Sequence, residues 1–347
     1  MPDKTERAPG YDAIVMAGDR GAYKPVYHEN KAFLEIDGVP VLLYVLCALQ
    51  KSRHVARVFV VGPADRITRV LEQHRERLDP AQEIHVVPQV DTMLQNALKA
   101  FYATLPAEAQ EGMPGYRKAR ARFEDKAVLI LGADIPLVTA AELDEFVERS
   151  DLSRFDYVLG MTREEALRAY YPLSGQPFSG IRFAYFCFHE SRERQNNLHM
   201  VRVLRVFNRD LIQTVYRLRY QQRWRNILGL GWRLLRRSEV RLSVLAKFFL
   251  LQVCRVLDQR SAWRLKAMQR FFRRFLVKEA IQQDLSRVLK ARLGSAVTSL
   301  GGATLDLDNE RDYQVIKRRY GEWMDHQRAL IEARDAAKEP GAGRGTE

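Results

Sequence analysis

Residues 13–38 read AIVMAGDRGAYKPVYHENKAFLEIDG: an apolar run, a glycine-containing loop with Arg20 and Lys24, then Lys31 entering a second apolar stretch. Glycines let backbone N–H groups approach phosphate oxygens, and cations along one loop can neutralise charge that builds on a leaving pyrophosphate. Glycine-rich turns after a first strand are commonplace and lysines near them are mostly solvated, so spacing alone does not single out a triphosphate. The second position with chemical promise is Asp134, where the apolar run Leu131-Gly132-Ala133 ends just ahead of Ile135-Pro136. A carboxylate at the C-terminal end of a parallel strand lies where open α/β sheets take their ligands, and there it can hold Mg²⁺ against phosphates. An Asp close to a Pro also serves simply to end a strand or cap a turn. No HExxH, GxSxG or Walker sequence competes, and none of the seven histidines has a partner at metal or triad spacing.

These residues need a frame. Short apolar runs at 12–16, 57–61, 84–87, 127–131 and 157–161, rich in Val, Ile and Leu, read as strands buried on both faces. Between them, 41–52, 64–78, 91–105 and 140–150 carry apolar residues three and four apart and read as helices, the last capped by Thr139. That rhythm predicts a doubly wound, mostly parallel α/β sheet. Alternation over 179–188 predicts a further strand whose aromatics cover a pocket mouth. Residues 208–292 read as several helices, 303–307 as a last short strand and 310–337 as a helix, with nothing to bury beyond it.

The chain has 347 residues, 46% hydrophobic and 29% charged, the composition of a folded protein. Its three cysteines, Cys47, Cys187 and Cys254, are too scattered for a zinc knuckle or a disulfide framework. No signal-like h-region or spanning apolar stretch is evident, so a cytoplasmic location is expected. The net charge of +13 is local. Residues 217–274 hold 16 Lys or Arg against Glu239 and Asp258, leaving the remainder near neutral. In that block Trp, Phe and Leu alternate with Arg at helical spacing. Three readings stay open: a peripheral face for an anionic membrane, a helical subdomain packed on the sheet or forming a dimer interface, and nonspecific nucleic-acid binding.

Residues 17–46, AGDRGAYKPVYHENKAFLEIDGVPVLLYVL, resemble the opening of the MobA-like nucleotidyltransferases, which have a GT-A-type, Rossmann-like core. Ala17-Gly18 match the family's loop, Lys31 its lysine, and Gly38-Val39-Pro40 the G-x-P before the first long helix. Two departures stand out: the second loop glycine is displaced to Gly21 behind Arg20, and Asn30 replaces the proline before the lysine. The Asp134 segment resembles the family's metal-binding aspartate. Residues 303–313, ATLDLDNERDY, are similar to the D-[IV]-[DN]-T-P-E-D-[LY] ending of many members, with Asp308 at the residue that often supplies a second metal ligand and Asp306 as runner-up. Asp312 is explained better as an acid in the first turn of a helix.

The resemblance implies Mg²⁺-dependent transfer of a nucleoside monophosphate from an NTP to a phosphorylated sugar, polyol or alcohol, with Lys31, Arg20 and Lys24 as catalytic cations. It implies nucleotide contacts from Ala17, Gly18, Asp19, Gly21, Gln89, Thr92, Gln95 and Asn96, metal ligation by Asp134 and Asp308, and acceptor contacts from Arg182 and Asn197. Ordinary capping and surface roles compete for Asp91, Thr92, Arg182 and Asn197. The expected organisation is a core over 1–207, a basic helical insertion over 208–294, completion of the core over 295–330 and a loose tail over 331–347. A nucleotide-sugar glycosyltransferase is the alternative enzyme, although such enzymes usually show a DxD at the metal strand where this chain has Gly132-Ala133-Asp134. A noncatalytic membrane-associated protein on the same scaffold is the third reading.

Overall fold

A computed structural model of the chain describes residues 10–20, 24–110, 116–176, 178–208, 242–258 and 263–338. The apolar runs become β1 (Tyr11–Met16), the short hairpin β2 (Glu35–Ile36) and β3 (Val39–Pro40), then β4 (Val55–Gly62), β5 (Ile84–Pro88), β6 (Ala127–Gly132) and β7 (Tyr157–Arg163). Four helices alternate with them: α1 (Val41–Lys51), α2 (Ala64–Gln73), α3 (Met93–Ala103) and α5 (Ala140–Arg149), with the short α4 (Tyr116–Ala121) before β6 and α6 (Glu164–Leu167) after β7. Thr139 caps α5, its hydroxyl accepting from Glu142 N at 3.2 Å. Downstream lie β8 (Phe186–Cys187), β9 (Arg192–Arg202), α7 (Leu242–Asp258), α8 (Trp263–Arg273), α9 (Lys278–Leu289), β10 (Leu293–Thr298) and α10 (Glu310–Lys338).

The main sheet runs β10-β7-β9-β6-β1-β4-β5 with β8 attached to β9. Every pairing along it is parallel except those of β9, which runs antiparallel between β6 and β7. Ala13, Ile14 and Val15 in β1 are fully buried because apolar layers cover both faces. Burying a Val- or Ile-sized side chain of this kind stabilises the fold by about 1.5–3 kcal/mol. Helix α10 returns across the start of the chain: Trp323 packs edge-on against Tyr170, the Tyr313 hydroxyl donates to Glu35 O at 2.7 Å, and Gln327 Nε2 donates to Leu137 O at 2.9 Å.

Several expectations change. The segment expected as a strand over 179–188 pairs only at Phe186–Cys187, and its long partner is β9, a strand the periodicity did not reveal. The expected strand at 303–307 is a 3-10 turn over Gly302–Thr304, and the last strand is β10. Helix α10 runs to Lys338, through the first residues of the expected loose tail, while 339–347 and part of the basic insertion (209–241 and 259–262) lie outside the described residues.

A buried polar network fixes the turn after β10. Glu142 accepts from the Thr298 hydroxyl (2.9 Å), Gly301 N (3.1 Å) and Ala303 N (2.9 Å). Gly301 sits at φ +84°, a left-handed conformation open to glycine at little cost. Thr162 joins Thr298 and Thr304, and Asn196 reaches Thr162 and Thr298, so β7, β9 and β10 share one cluster. Burial pushes the Glu142 carboxyl up to about 7 against the Ala303, Thr298 and Gly301 donors, which favour its charged form. A carboxyl raised on folding gives stability that is complete below its unfolded value and lost as pH rises through about 7. Glu142→Gln turns an amide N–H₂ toward donors, and thermal unfolding is expected to record a loss of about 2–3 kcal/mol at pH 5 that shrinks by pH 8. Equal stability of the two proteins at pH 5 would contradict this account.

Candidate active site

Loops leaving the C-terminal ends of β1, β5 and β6 meet at one edge of the sheet, where open α/β folds bind ligands. The β1 loop is stitched to its neighbours: Ala17 N donates to Val61 O (2.9 Å), Ala133 N to Met16 O (3.1 Å) and Gln89 N to Gly62 O (2.9 Å). Gln89 spends its whole amide on Asp19, with Oε1 accepting from Asp19 N at 3.0 Å and Nε2 donating to Asp19 Oδ1 at 2.7 Å. Asn96 is buried and accepts from Val90 N at 2.6 Å. A side chain on Gly18 would meet Asn96 Nδ2 at 2.8 Å, so glycine is what lets the loop lie on α3.

Asn30 explains one departure from the family pattern. Its Nδ2 donates to Ala17 O at 2.9 Å and its Oδ1 accepts from Ala32 N at 3.0 Å, so it ties the loop and caps the 3-10 turn Lys31–Phe33 in one step. A proline there has no side-chain amide with which to do either. That turn buries Lys31, 7% exposed, and aims its ammonium at two acids: Nζ lies 3.2 Å from Asp134 Oδ2 and 3.7 Å from Asp308 Oδ1. The two acidic loops are themselves joined, Leu307 N donating to Asp134 O at 3.1 Å. An amine from residue 31 and acids from residues 134 and 308 therefore converge, as the resemblance implied.

The electrostatics favour a charged lysine. Burial works to strip the proton from Lys31, but Asp134, Asp308 and Asp306 outweigh it and hold its pKa above the ordinary value. Asp306 is nearly buried, and burial and the neighbouring Asp308 push its pKa up. Its cationic neighbour is Arg194 on β9, 3.6 Å away, whose guanidinium also lies over the Phe183 ring. Sequence reasoning missed Arg194 because it missed β9. The only available signal was its place one residue from Glu193 in a polar strand.

The remaining expected residues scatter. Arg20 is half exposed and pairs at 4.0 Å with the exposed Asp91, and Lys24 is exposed, so the structure brings neither to the Lys31 cluster. Gly21 lies outside the described residues. Thr92 and Gln95 form a capping box on α3, so Thr92, and not Asp91, is the N-cap. Arg182 is exposed. Asn197 donates to Ala303 O at 3.2 Å and braces the turn before Asp306, a structural use of a residue expected at the acceptor.

Among the described residues no three His, Cys, Asp or Glu side chains form a metal cage. The donor set present, Asp134 and Asp308 both within 4 Å of one amine, fits Mg²⁺, which is commonly held by one or two carboxylates together with substrate phosphates and water.

No curated protein sequence matches the chain. Among solved structures, a hypothetical transferase from Thermus thermophilus is 20% identical, with a TM-score of 0.50 over 87% of this chain and 99% of that one. A 4-diphosphocytidyl-2C-methyl-D-erythritol synthase from Anaerococcus prevotii is 10% identical, with a TM-score of 0.42 over 90% and 99% of the two chains. The first likeness agrees with the mostly parallel α/β core described above. The family model for the MobA-like NTP transferase domain matches residues 13–239, which takes in the β1 loop, Lys31, Asp134 and β9 and stops short of Asp308. With most of its length under that model and its loops gathered at the ligand edge of the sheet, this chain belongs to the MobA-like NTP transferase family and is a nucleotidyltransferase.

Proposed function

We propose that the protein transfers a nucleoside monophosphate from an NTP to a phosphorylated sugar, polyol or alcohol and releases pyrophosphate. The observation that carries this reading is the buried Lys31 ammonium between Asp134 and Asp308 at the mouth of the β1 and β6 loops. An oxygen of the acceptor phosphate attacks the α-phosphorus, the bond from that phosphorus to the bridging oxygen breaks, and pyrophosphate leaves with the electron pair. Such in-line chemistry needs alignment and charge neutralisation more than a side-chain base. Lys31 keeps its proton throughout and faces the charge that grows on the leaving group. Asp134 and Asp308 would hold Mg²⁺, which when bound would neutralise phosphate charge. The backbone of 17–19, tied by Gln89 and Asn30 and packed beside Asn96, lines the nucleotide. This tethering supports Gln89 as a brace of the nucleotide loop, and the bond Asn96 accepts from Val90 N supports a bracing role for it in the β5 loop, more than either as a reader of the base.

For the acceptor phosphate we assign Arg194 in place of Arg182 and Asn197. It stands beside Asp306 on the same acidic loop, and a guanidinium offers a planar pair of donors to phosphate. Arg194→Gln is expected to raise KM for the acceptor about 10–100-fold, the effect of one or two charge-assisted hydrogen bonds, with KM for the NTP unchanged. Parallel rises in both constants with a lower Tm would reduce Arg194 to a structural partner of Asp306. Contact of residues 217–274 with an anionic membrane, giving a peripheral location, belongs to the same reading; among the described residues no helix is long and apolar enough to cross a membrane. Pyrophosphate release measured with all four NTPs against a panel of sugar, polyol and alcohol phosphates tests the activity. Silence across the panel would refute it, and turnover of a nucleotide sugar would replace it with glycosyl transfer.

A further inference from the structure

The described part of the basic block is a helical hairpin with two unlike faces. Its inner face is fastened to the sheet. Leu251 and Cys254 of α7 and Leu276 pack with Met161, Cys187 and Phe188. Gln269 Nε2 reaches Cys187 Sγ and Cys254 O, Lys247 Nζ pairs with Asp284 at 2.6 Å, and Arg273 Nε donates to Phe188 O at 2.7 Å. The expectation of a helical subdomain packed on the sheet therefore describes this side. The outer side is different: Phe248, Phe249, Met268, Phe271 and Phe275 are 42%, 54%, 40%, 53% and 57% exposed. Met268 and Phe271 lie three apart on α8, Phe275 in the turn just past it packs edge-on against Phe271 with ring centroids 5.6 Å apart, and the exposed Lys266, Arg270 and Arg274 lie among them in sequence.

We propose that this outer face docks on an anionic lipid bilayer. The proposal deepens the membrane part of the functional reading and is independent of its chemistry. Exposed aromatics and exposed basic side chains are the two components an interfacial helix uses: rings enter the acyl boundary while cations meet anionic headgroups. A protein partner fits this face less well, because three cations lie among its apolar residues in sequence and charged side chains are depleted at interface cores. Lys278, the first residue of α9, pairs with Glu193 of β9 at 2.6 Å and fastens the chain just beyond the hairpin to the sheet.

The test uses the full chain in flotation with vesicles of phosphatidylcholine alone or with about 30 mol % phosphatidylglycerol, at low and high salt. Wild-type protein is expected to float at least about tenfold more with the anionic vesicles, and high salt to reduce the difference. Phe271→Ser/Phe275→Ser and Arg270→Gln/Arg274→Gln are each expected to cut flotation about tenfold while leaving Tm and NTP binding by calorimetry unchanged. These side chains are exposed, so the substitutions leave the core alone. Equal flotation on both vesicle types, or flotation unchanged in both variants, overturns the proposal. So does a dimer in sedimentation that the Phe271→Ser/Phe275→Ser variant dissociates without loss of flotation. Pyrophosphate release separates the two readings: a protein that floats but never turns over loses the enzymatic reading alone, and one that turns over but never floats loses this one.

Discussion

Lys31→Met is expected to lower kcat/KM about 10²–10³-fold, with the loss in kcat at saturating NTP and Mg²⁺. A preorganised donor facing charge that develops in the transition state supplies about 2.7–4 kcal/mol when it acts in a site shielded from water, and Lys31 is 7% exposed. Methionine keeps the length and apolar stem of lysine and removes only the charge. The competing explanation is that Lys31 merely balances Asp134 and Asp308. On that account the variant binds Mg²⁺ more tightly, because a metal ion no longer competes with an ammonium, and excess metal restores the rate. Steady-state rates across a Mg²⁺ titration separate the two, and recovery to within tenfold of wild type would refute the catalytic role. Lys31→Arg is not expected to rescue, since a planar guanidinium does not fit a turn built around a linear amine. Because the acids hold the Lys31 pKa above its ordinary value, its deprotonation gives no descending limb in the pH–rate profile below about pH 10. A limb near pH 8 that disappears in Lys31→Met would contradict that assignment.

How much of this was legible without coordinates depended on whether each segment obeys a single rule. Lys31, Asp134 and Asp308 were singled out because their segments resemble the family pattern in order along the chain, and the structure brings the three side chains together. The parallel strands were found because burial on both faces makes them continuous apolar runs. Strand β9 broke the pattern: its buried positions include Glu193 and Asn196, satisfied by Lys278 and by the Thr162–Thr298 cluster, so polar residues stand where alternation requires apolar ones. Strand β10 was missed for the opposite reason. Gly294 and Ser295 interrupt it because Phe155 packs against the backbone at 294, where any side chain would collide with the ring. The apolar residues at 303–307 are indeed buried, but their turn is held by Glu142 and Asn197, partners more than 100 residues away that no local window contains. Arg20 and Lys24 stay exposed and apart from that cluster, because no element turns them inward as the Asn30-capped turn does Lys31.

Asp134→Asn is expected to lower turnover about 10³-fold and Asp308→Asn about 10²-fold, and both are expected to raise the Mg²⁺ concentration needed for half-maximal rate. The order follows from geometry. Asp134 lies nearer the amine, 3.2 against 3.7 Å, and its side chain is 23% exposed against 38%, so less water is at hand to replace a lost carboxylate oxygen. Asparagine keeps one oxygen and the shape of the side chain but removes the charge a hard cation selects. Stability provides the decisive contrast. Asp134, Asp306 and Asp308 crowd around Lys31 and Arg194, and part of that crowding is repulsive, Asp308 being one cause of the raised pKa of Asp306. Removing the charge of Asp308 relieves repulsion, so Asp308→Asn is expected to melt at or slightly above the wild-type Tm in metal-free buffer while its activity falls, the trade-off of a site arranged for function. The two substitutions together cost little more than Asp134→Asn alone, because both residues serve one ion. A Tm drop of several degrees in Asp308→Asn, with activity lost only in proportion to unfolding, would make Asp308 a structural ion-pair partner of Lys31 and leave Asp134 as the sole acid in the reaction.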